Sequence, residues 1–236
     1  MRVSLSPRAR RVWHHLTGGR MGLEEALRRA TPEGVEEVRA LGCRRSVGVV
    51  RRVDQLWVVV KGDEREAREL EDRLIDLLSK VTGERRMGWG GRVFLRVTAV
   101  GDFERPEAVR STLERRCLAC TAVSGALALL EAAWHPLNPS LYAGIAIVSA
   151  LSGYLLPWRS GSFELMRECL GEGGRLTALV STAMASLTFA GLGLAFALLE
   201  AGAGLLGLIL TACGVGVVSV RFLDRVNREL VRAGGG

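Results

Sequence analysis

The amino-acid sequence predicts an α-helical membrane protein in which a small α+β domain precedes a bundle of four transmembrane helices. Two observations support this fold class: charged residues are concentrated in the first half of the chain, and long uncharged apolar stretches occupy the second half. Residues 1–116 contain 25 basic and 18 acidic residues, whereas residues 117–236 contain seven of each. The net charge of +7 therefore belongs to the N-terminal part and favours anionic partners such as lipid headgroups or nucleic acid.

Four stretches are long and apolar enough to form transmembrane helices, because a bilayer core about 30 Å thick requires roughly 20 apolar residues in a helix. The predicted spans are residues 117–134, 137–158, 176–199 and 201–220. The first span includes Glu131, a residue type that is costly at the bilayer centre. Trp134 follows within one helical turn, so we expect the carboxylate to reach the headgroup region. Together the four stretches predict a transmembrane domain at 117–220.

Basic residues in the connecting segments predict the orientation of these spans. Arginines occur in a predicted juxtamembrane helix at 105–116, in the loop between the second and third spans, and in a basic tail at 221–236. The two other connections contain no Lys or Arg. Because basic loops stay in the cytosol, both termini are predicted to be cytosolic in a multi-pass protein of the cell (plasma) membrane.

The first 104 residues predict a cytosolic α+β domain. Its predicted elements are three short helices at 7–16, 22–29 and 32–41, a β-hairpin with strands 47–52 and 56–61 joined at 53–55, a long amphipathic helix at 63–81 and a strand at 93–100. Three helices followed by a hairpin is the element order of a winged helix, a DNA-binding architecture, over residues 6–61. DNA binding is therefore one alternative for this domain.

The charges of the domain favour protein docking over DNA contact. The third predicted helix carries Glu33, Glu36 and Glu37, and carboxylates in a reading helix would repel phosphate. Four arginines in and before the predicted hairpin are the candidate contacts to a protein partner or to phosphate: Arg44, Arg45, Arg51 and Arg52. We therefore expect a docking domain, with nucleic acid as the less favoured partner.

Polar residues at the predicted outer ends of the spans form a second candidate site. Glu131 and His135 are one helical turn apart, and Glu200 lies in the other outer connection. His135 could form a pH-sensitive contact with Glu131, with an interfacial pair of no function as the alternative. If several copies assemble around a pathway, Glu131 and Glu200 are expected to line its outer entrance.

The loop between the second and third spans predicts a short amphipathic helix on the bilayer surface. Phe163, Met166 and Leu170 recur at helical spacing, with Glu164 and Glu168 opposite them. The apolar residues are candidate contacts to a partner; ordinary packing is the alternative explanation.

The sequence predicts no catalytic residue, cofactor or metal site. The GxGxxG spelling at 202–207 lies inside a predicted span, whereas a dinucleotide fingerprint must follow a strand and open a helix. Cys117 and Cys120 have the spacing of half a metal site, but no second pair of Cys or His lies near them in sequence. The cysteine pattern predicts free thiols and no disulfide framework.

These observations predict a non-enzymatic polytopic membrane subunit or scaffold of a larger assembly of the secretion, pilus or export type. Its cytosolic domain would dock a soluble partner, while the bilayer and a protein partner or further copies of the chain surround its spans. Two alternatives remain open: an oligomeric channel or transporter subunit, and a membrane-tethered DNA-binding regulator.

Overall fold

A computed structural model describes residues 1–47, 51–82, 93–134, 136–171 and 174–233. The chain forms two compact units. The first, here called the sheet unit, consists of Met1–Val109, Glu164–Glu172 and Arg228–Gly236, and the second, the helical unit, consists of Arg110–Phe163 and Gly173–Asn227. The sheet unit thus includes two segments that are remote in sequence from the N-terminal residues.

A four-stranded sheet forms the centre of the sheet unit. Its strands are β1 (Arg2–Leu5), β2 (Glu37–Val47), β3 (Arg51–Lys61) and β4 (Val93–Val100). They lie side by side in chain order; β2 and β3 are antiparallel, and each outer strand is parallel to its neighbour. The pairing of β1 with β2 ends where Leu5 lies opposite Ala40. Beyond Ala40, this edge of β2 has no partner among the strands that the structure describes.

Three helices cover one face of this sheet, here called the first face. They are α1 (Pro7–Thr17), α2 (Leu23–Ala30) and α3 (Glu64–Thr82). Val38 and Val58 of the strands are fully buried in one cluster with Leu27 and Leu74 of the helices. Burying a side chain of this kind contributes about 1.5–3 kcal/mol, so this cluster is the core of the unit.

The opposite or second face of the sheet is buried as well. Leu41, Cys43 and Trp57, which point away from the first face, expose 2%, 0% and 1% of their surfaces. Contacts on this side come from outside the three helices: the Arg39 guanidinium lies 3.9 Å from the centre of the Phe103 ring and donates to the carbonyl of Ala233 at 3.4 Å. The end of the chain therefore reaches the second face.

The predicted third helix at 32–41 is wrong, and with it the helix–helix–helix–hairpin order of a winged helix. Thr31 does not begin a helix but ends α2, since its backbone N–H and its hydroxyl both donate to the carbonyl of Leu27. Gly34 follows with a φ of +108° and breaks any helix there. The residues after it extend as β2 between β1 and β3, so pairing with two strands outweighs the helical appearance of the sequence. Strand β1 was not predicted, and the predicted hairpin turn at 53–55 is wrong, because these residues lie within β3 and pair with β2.

The remaining elements of the sheet unit follow local sequence signals. Asp63 and Glu66 form a reciprocal cap at the start of α3: the Glu66 N–H donates to Asp63 Oδ1 at 2.8 Å, and the Asp63 N–H donates to Glu66 Oε2 at 3.0 Å. This cap fixes the predicted long helix within a residue of its expected start. The predicted final strand is β4, with the predicted bounds.

Five further helices follow β4 in sequence. They are α4 (Pro106–Trp134), α5 (Pro139–Ser160), α6 (Ser162–Leu170), α7 (Gly174–Leu198) and α8 (Gly204–Ala233), with a π-helical turn at Leu199–Ala203 between the last two. Three helical stretches are long and apolar enough to cross a membrane: Pro106–Trp134, Pro139–Ser160 and the 60 residues of Gly174–Ala233. Gly202, with a φ of +92°, interrupts the last of these.

The surfaces of these long helices are apolar where they are exposed. Apart from Met1, every exposed large hydrophobic side chain in the described chain lies on α4, α5, α7 or α8. Such a large apolar surface is rare on water-soluble proteins and suits contact with lipid. The protein therefore has the composition and surface of a membrane protein.

Small residues allow the helices of the helical unit to approach closely. A Cβ atom at Gly153 of α5 would lie 2.6 Å from the carbonyl oxygen of Ser181 in α7, so only glycine fits there. Ser152 also donates a hydrogen bond to Thr188 across the same pair of helices at 2.9 Å. Both contacts are typical of helix packing in membranes, where small residues and hydroxyl groups hold helices together.

Candidate functional site

The short helix α6 binds the unpaired edge of β2 through two carboxylates. Glu168 Oε2 accepts the Gly42 N–H at 3.2 Å, and Glu164 Oε2 accepts the Arg44 N–H at 2.5 Å. Glu164 also forms an ion pair with Arg8 at 2.9 Å. The carboxylates therefore satisfy backbone donors of β2 beyond the end of β1, and α6 is a structural part of the sheet unit.

Burial around this contact changes the acidity of two groups. Burial raises the pKa of the Glu168 carboxyl above its usual value, and hydrogen bonds from Ser6 and Gly42 oppose that shift. Cys43, on the neighbouring second face, is completely buried, and its burial followed by the charge of Glu164 raises the pKa of its thiol to about 12. The thiol therefore stays protonated at neutral pH and is a poor nucleophile.

The four predicted contact arginines lie on the paired part of β2 and β3. Arg44 forms an ion pair with Asp54 across the two strands at 3.3 Å. Arg45, Arg51 and Arg52 belong to the strands through their backbones, with Arg45 opposite Val53. Their side chains lie outside the described part of the chain, so their proposed contacts stay a prediction.

A concave surface in the sheet unit lies on α1 and the turn that follows it. Its volume is about 720 Å³. Trp13 and Leu23 provide a buried apolar floor, and the Trp13 indole N–H donates to the Met21 carbonyl at 2.9 Å. The basic residues of the lining are Arg10, Arg11, His14 and His15. Here this surface is called the α1 cavity.

Helical spacing explains how α1 forms this surface. Ala9, Val12 and Trp13 face the core, so the basic residues are left on the opposite, exposed side of the helix. Gly18 and Gly19 then turn the chain with positive φ values of 59° and 74°. A Cβ atom at Gly19 would lie 2.7 Å from the His14 ring, so the glycine turn leaves room for that imidazole.

In the helical unit, Glu131 is nearly buried although it lies in a helix apolar enough to span a membrane. It exposes only 5% of its surface and accepts a hydrogen bond from the Tyr142 hydroxyl at 3.3 Å. Its carboxylate occupies the space that a Cβ atom at Gly193 would need. The carboxylate is thus held within the packed helices, and its predicted position at the outer surface of the membrane stays a prediction.

An open groove of about 490 Å³ runs along this carboxylate between α4, α7 and α8. Its walls are mainly apolar, with Leu127, Leu187 and Val218 from the three helices. Glu131 is the only charged side chain of the described lining, and Trp134 lies beside it at the end of α4. Here this surface is called the Glu131 groove.

The structure describes all but one of the other predicted contact residues. Glu200 is exposed in the π-helical turn, and His135 lies outside the described residues. Met166 exposes 1% of its surface, Leu170 is partly buried, and Phe163 contacts Tyr154 with ring centres 5.9 Å apart. Within the described residues, no group of three or more His, Cys, Asp or Glu side chains is arranged to hold a metal ion.

Sequence reasoning missed the importance of Arg10, Arg11 and Tyr142. The first two had a usable signal, because five of the eleven residues of α1 are Arg or His. Tyr142 had none, since its contact with Glu131 depends on how two helices pack.

Comparison with known proteins adds no functional assignment: no protein-family model, curated protein or solved structure matches this chain.

Proposed function

We propose that the chain is a non-enzymatic subunit of a larger membrane assembly, of the secretion, pilus or export type, and that it docks an acidic segment of a soluble partner in the α1 cavity. The α1 cavity is the observation that carries this proposal. It combines a buried apolar floor with four basic residues, whereas Glu24 is the only acidic residue among the described residues of its lining. A partner segment with carboxylates beside an apolar anchor fits this combination in charge and polarity.

We infer four membrane spans with both termini in the cytosol. A straight helix of 60 residues would be about 90 Å long, three times the thickness of a bilayer core. Reversal at Gly202 into two spans, α7 and α8, removes that mismatch. Contact between Gly191 and the Val215 side chain, on either side of the interruption, supports such a hairpin.

The composition of the sheet unit supports the same orientation. It gathers the N-terminal residues, the segment Glu164–Glu172 and the end of the chain from Arg228. These three segments must lie on one side of a membrane to belong to one compact unit. Their arginines support the cytosol as that side, according to the positive-inside rule.

Cysteine accessibility tests this topology. Single cysteines introduced at Ala201 and at Gly236 should react with a membrane-impermeant maleimide from opposite sides of the cell membrane. Reaction of both positions from the same side would exclude the four-span arrangement.

Site-specific photocrosslinking tests the docking proposal in intact cells. A photoreactive residue at Arg11 or at His15 should yield the same adduct, and in the protein with the probe at His15 the double variant R10E/R11E should abolish it. Arg65 and Arg68, exposed arginines on α3, provide a matched charge reversal. The variant R65E/R68E should leave the adduct unchanged.

The crosslinked partner segment should be acidic, because the lining of the α1 cavity is mainly basic. A synthetic peptide of the crosslinked partner segment should bind the purified full-length protein, and replacing its carboxylates by amides should weaken binding about tenfold or more. Docking in the α1 cavity would be excluded if R65E/R68E lost the adduct as completely as R10E/R11E. It would also be excluded if the peptide with amides in place of its carboxylates bound as tightly as the original peptide.

An oligomeric channel or transporter is a second candidate, favoured by the burial of Glu131. A charged residue inside a membrane-spanning helix is costly and commonly marks a pathway for substrate or ions. Flux through liposomes should then fall in the variant E131Q. Flux that is the same for empty liposomes, wild type and E131Q would exclude this function.

A further inference from the structure

The Glu131 groove has the three features by which proteins recognise an organic cation. It is lined by apolar side chains of three helices, it contains one nearly buried carboxylate, and it has an aromatic side chain, Trp134, next to that carboxylate. Its volume of about 490 Å³ is within the range of small-molecule sites. A single positive charge on an apolar body would therefore match it in both charge and polarity.

The carboxylate is positioned by its surroundings. Tyr142 donates to one oxygen at 3.3 Å, and Gly193 leaves the space that the other oxygen occupies. Because water is scarce in this apolar setting, attraction between Glu131 and a bound cation is stronger than at an exposed site. A neutral ligand would gain only the apolar contacts.

The same lining disfavours a phospholipid headgroup. Among the described residues of the groove there is no Lys, Arg or His that could bind a phosphate. A zwitterionic headgroup would therefore place its phosphate near Glu131 without a basic partner. The ammonium group alone suits the site.

We propose that the Glu131 groove binds a lipophilic organic monocation without a phosphate, its positive group beside Glu131 and its apolar body between α4, α7 and α8. Binding does not depend on the partner of the α1 cavity or on transport.

Two probes of nearly the same shape and opposite charge test this proposal. Full-length protein, purified in a neutral detergent, is equilibrated with radiolabelled tetraphenylphosphonium or with tetraphenylborate. The cation should bind saturably with one site per chain, about tenfold or more tightly than the anion. Equal affinity for both probes would overturn the proposal, because it would show that apolar contacts alone decide binding.

Four variants locate the bound cation. E131Q should reduce its affinity about tenfold or more, while E200Q, which removes the exposed glutamate of the π-helical turn, should bind like wild type. G214L should abolish binding by filling the groove, since a Cβ atom at Gly214 meets only open space and the fold should tolerate it. G216L is the matched control, because Gly216 is equally open but does not line the groove.

The variants also cover a failure of E131Q to fold. Circular dichroism and size-exclusion chromatography identify such a failure. In that case, comparing cation binding by G214L with cation binding by G216L is sufficient to test the site. Binding that persists in G214L would overturn the assignment to this groove. Displacement of the cation by phosphatidylethanolamine added to the micelles would show a headgroup site and would overturn it as well.

Discussion

The two faces of the sheet are buried by different means. The first face is closed by α1, α2 and α3, which lie close to the strands in sequence and form one apolar cluster with them. The second face is equally buried at Cys43 and Trp57, but its described contacts include the end of the chain, at Ala233. Alongside it, α6 holds the free edge of β2. The N-terminal domain is thus completed by residues from the other end of the sequence.

This difference indicates how an N-terminal sheet and the segments beside later apolar helices of one chain can depend on each other. An isolated soluble domain would close both faces of its sheet with its own residues. Here the segments Glu164–Glu172 and Arg228–Gly236, which flank the long apolar helices in sequence, belong to the sheet unit. We therefore expect the folding of the sheet unit to depend on these later segments.

The largest effect is expected from removing those later segments. A fragment of residues 1–104 should expose the second face and aggregate or bind a hydrophobic dye, because it lacks Ala233, which contacts Arg39 of that face, and the glutamates of α6 near Cys43. Cys43 is the only cysteine of this fragment and reports directly on the second face. Its thiol should react quickly with a maleimide in the fragment and slowly in the full-length protein.

The matched control for the fragment is its extension by α6 and the C-terminal segment. Residues 1–109 joined through flexible linkers to 162–172 and 228–236 should recover the protection of Cys43. A fragment 1–104 that is monomeric and already protects Cys43 would show that the second face does not need the later segments.

A smaller effect is expected from breaking one contact of α6. The variant E164A removes the acceptor of the Arg44 N–H and the ion pair with Arg8. We expect a loss of about 1–2 kcal/mol in the free energy of unfolding, since a backbone donor loses its partner at a partly exposed site. Cys43 should be modified faster than in wild type, as read by mass spectrometry of the labelled peptides.

The variant R167A serves as the control for E164A, because Arg167 lies on the exposed side of the same helix. It should leave the labelling of Cys43 unchanged. Equal labelling in E164A and wild type would mean that α6 does not protect the second face.

Local signals in the sequence predict the elements whose ends are set by their own residues. The capping pair Asp63 and Glu66 fixes α3, and the length and apolarity of α5 fix it within two residues of the predicted span. Most of strand β2 was predicted as a helix because Thr31 and Pro32 resemble the start of one. Pairing with β1 and β3 determines the structure instead.

The candidate sites were predictable only in part, for a similar reason. Glu131 is conspicuous in sequence as a charge within an apolar stretch, but its contacts with Tyr142 and Gly193 arise from helix packing. Glu164 and Glu168 look like the solvent-exposed side of an amphipathic helix. Their actual role depends on the free edge of β2, which no local pattern reveals.

The smallest effect is expected from E168Q, and it appears in the pH dependence of stability. Burial raises the pKa of Glu168 in the folded protein above its ordinary value of 4.5. The folded state therefore binds this proton more tightly than the unfolded chain, and the contribution of Glu168 to stability decreases as the pH rises from 4.5 through the folded pKa. Glutamine still accepts the Gly42 N–H but does not titrate, so E168Q should lose less thermal stability than wild type between pH 4 and pH 8.

E107Q, which removes an exposed carboxylate at the start of α4, should keep the wild-type pH profile of thermal stability. A pH profile of E168Q identical to that of wild type would show that the carboxylate is not buried against β2, and the second face would then be less completely closed than the first.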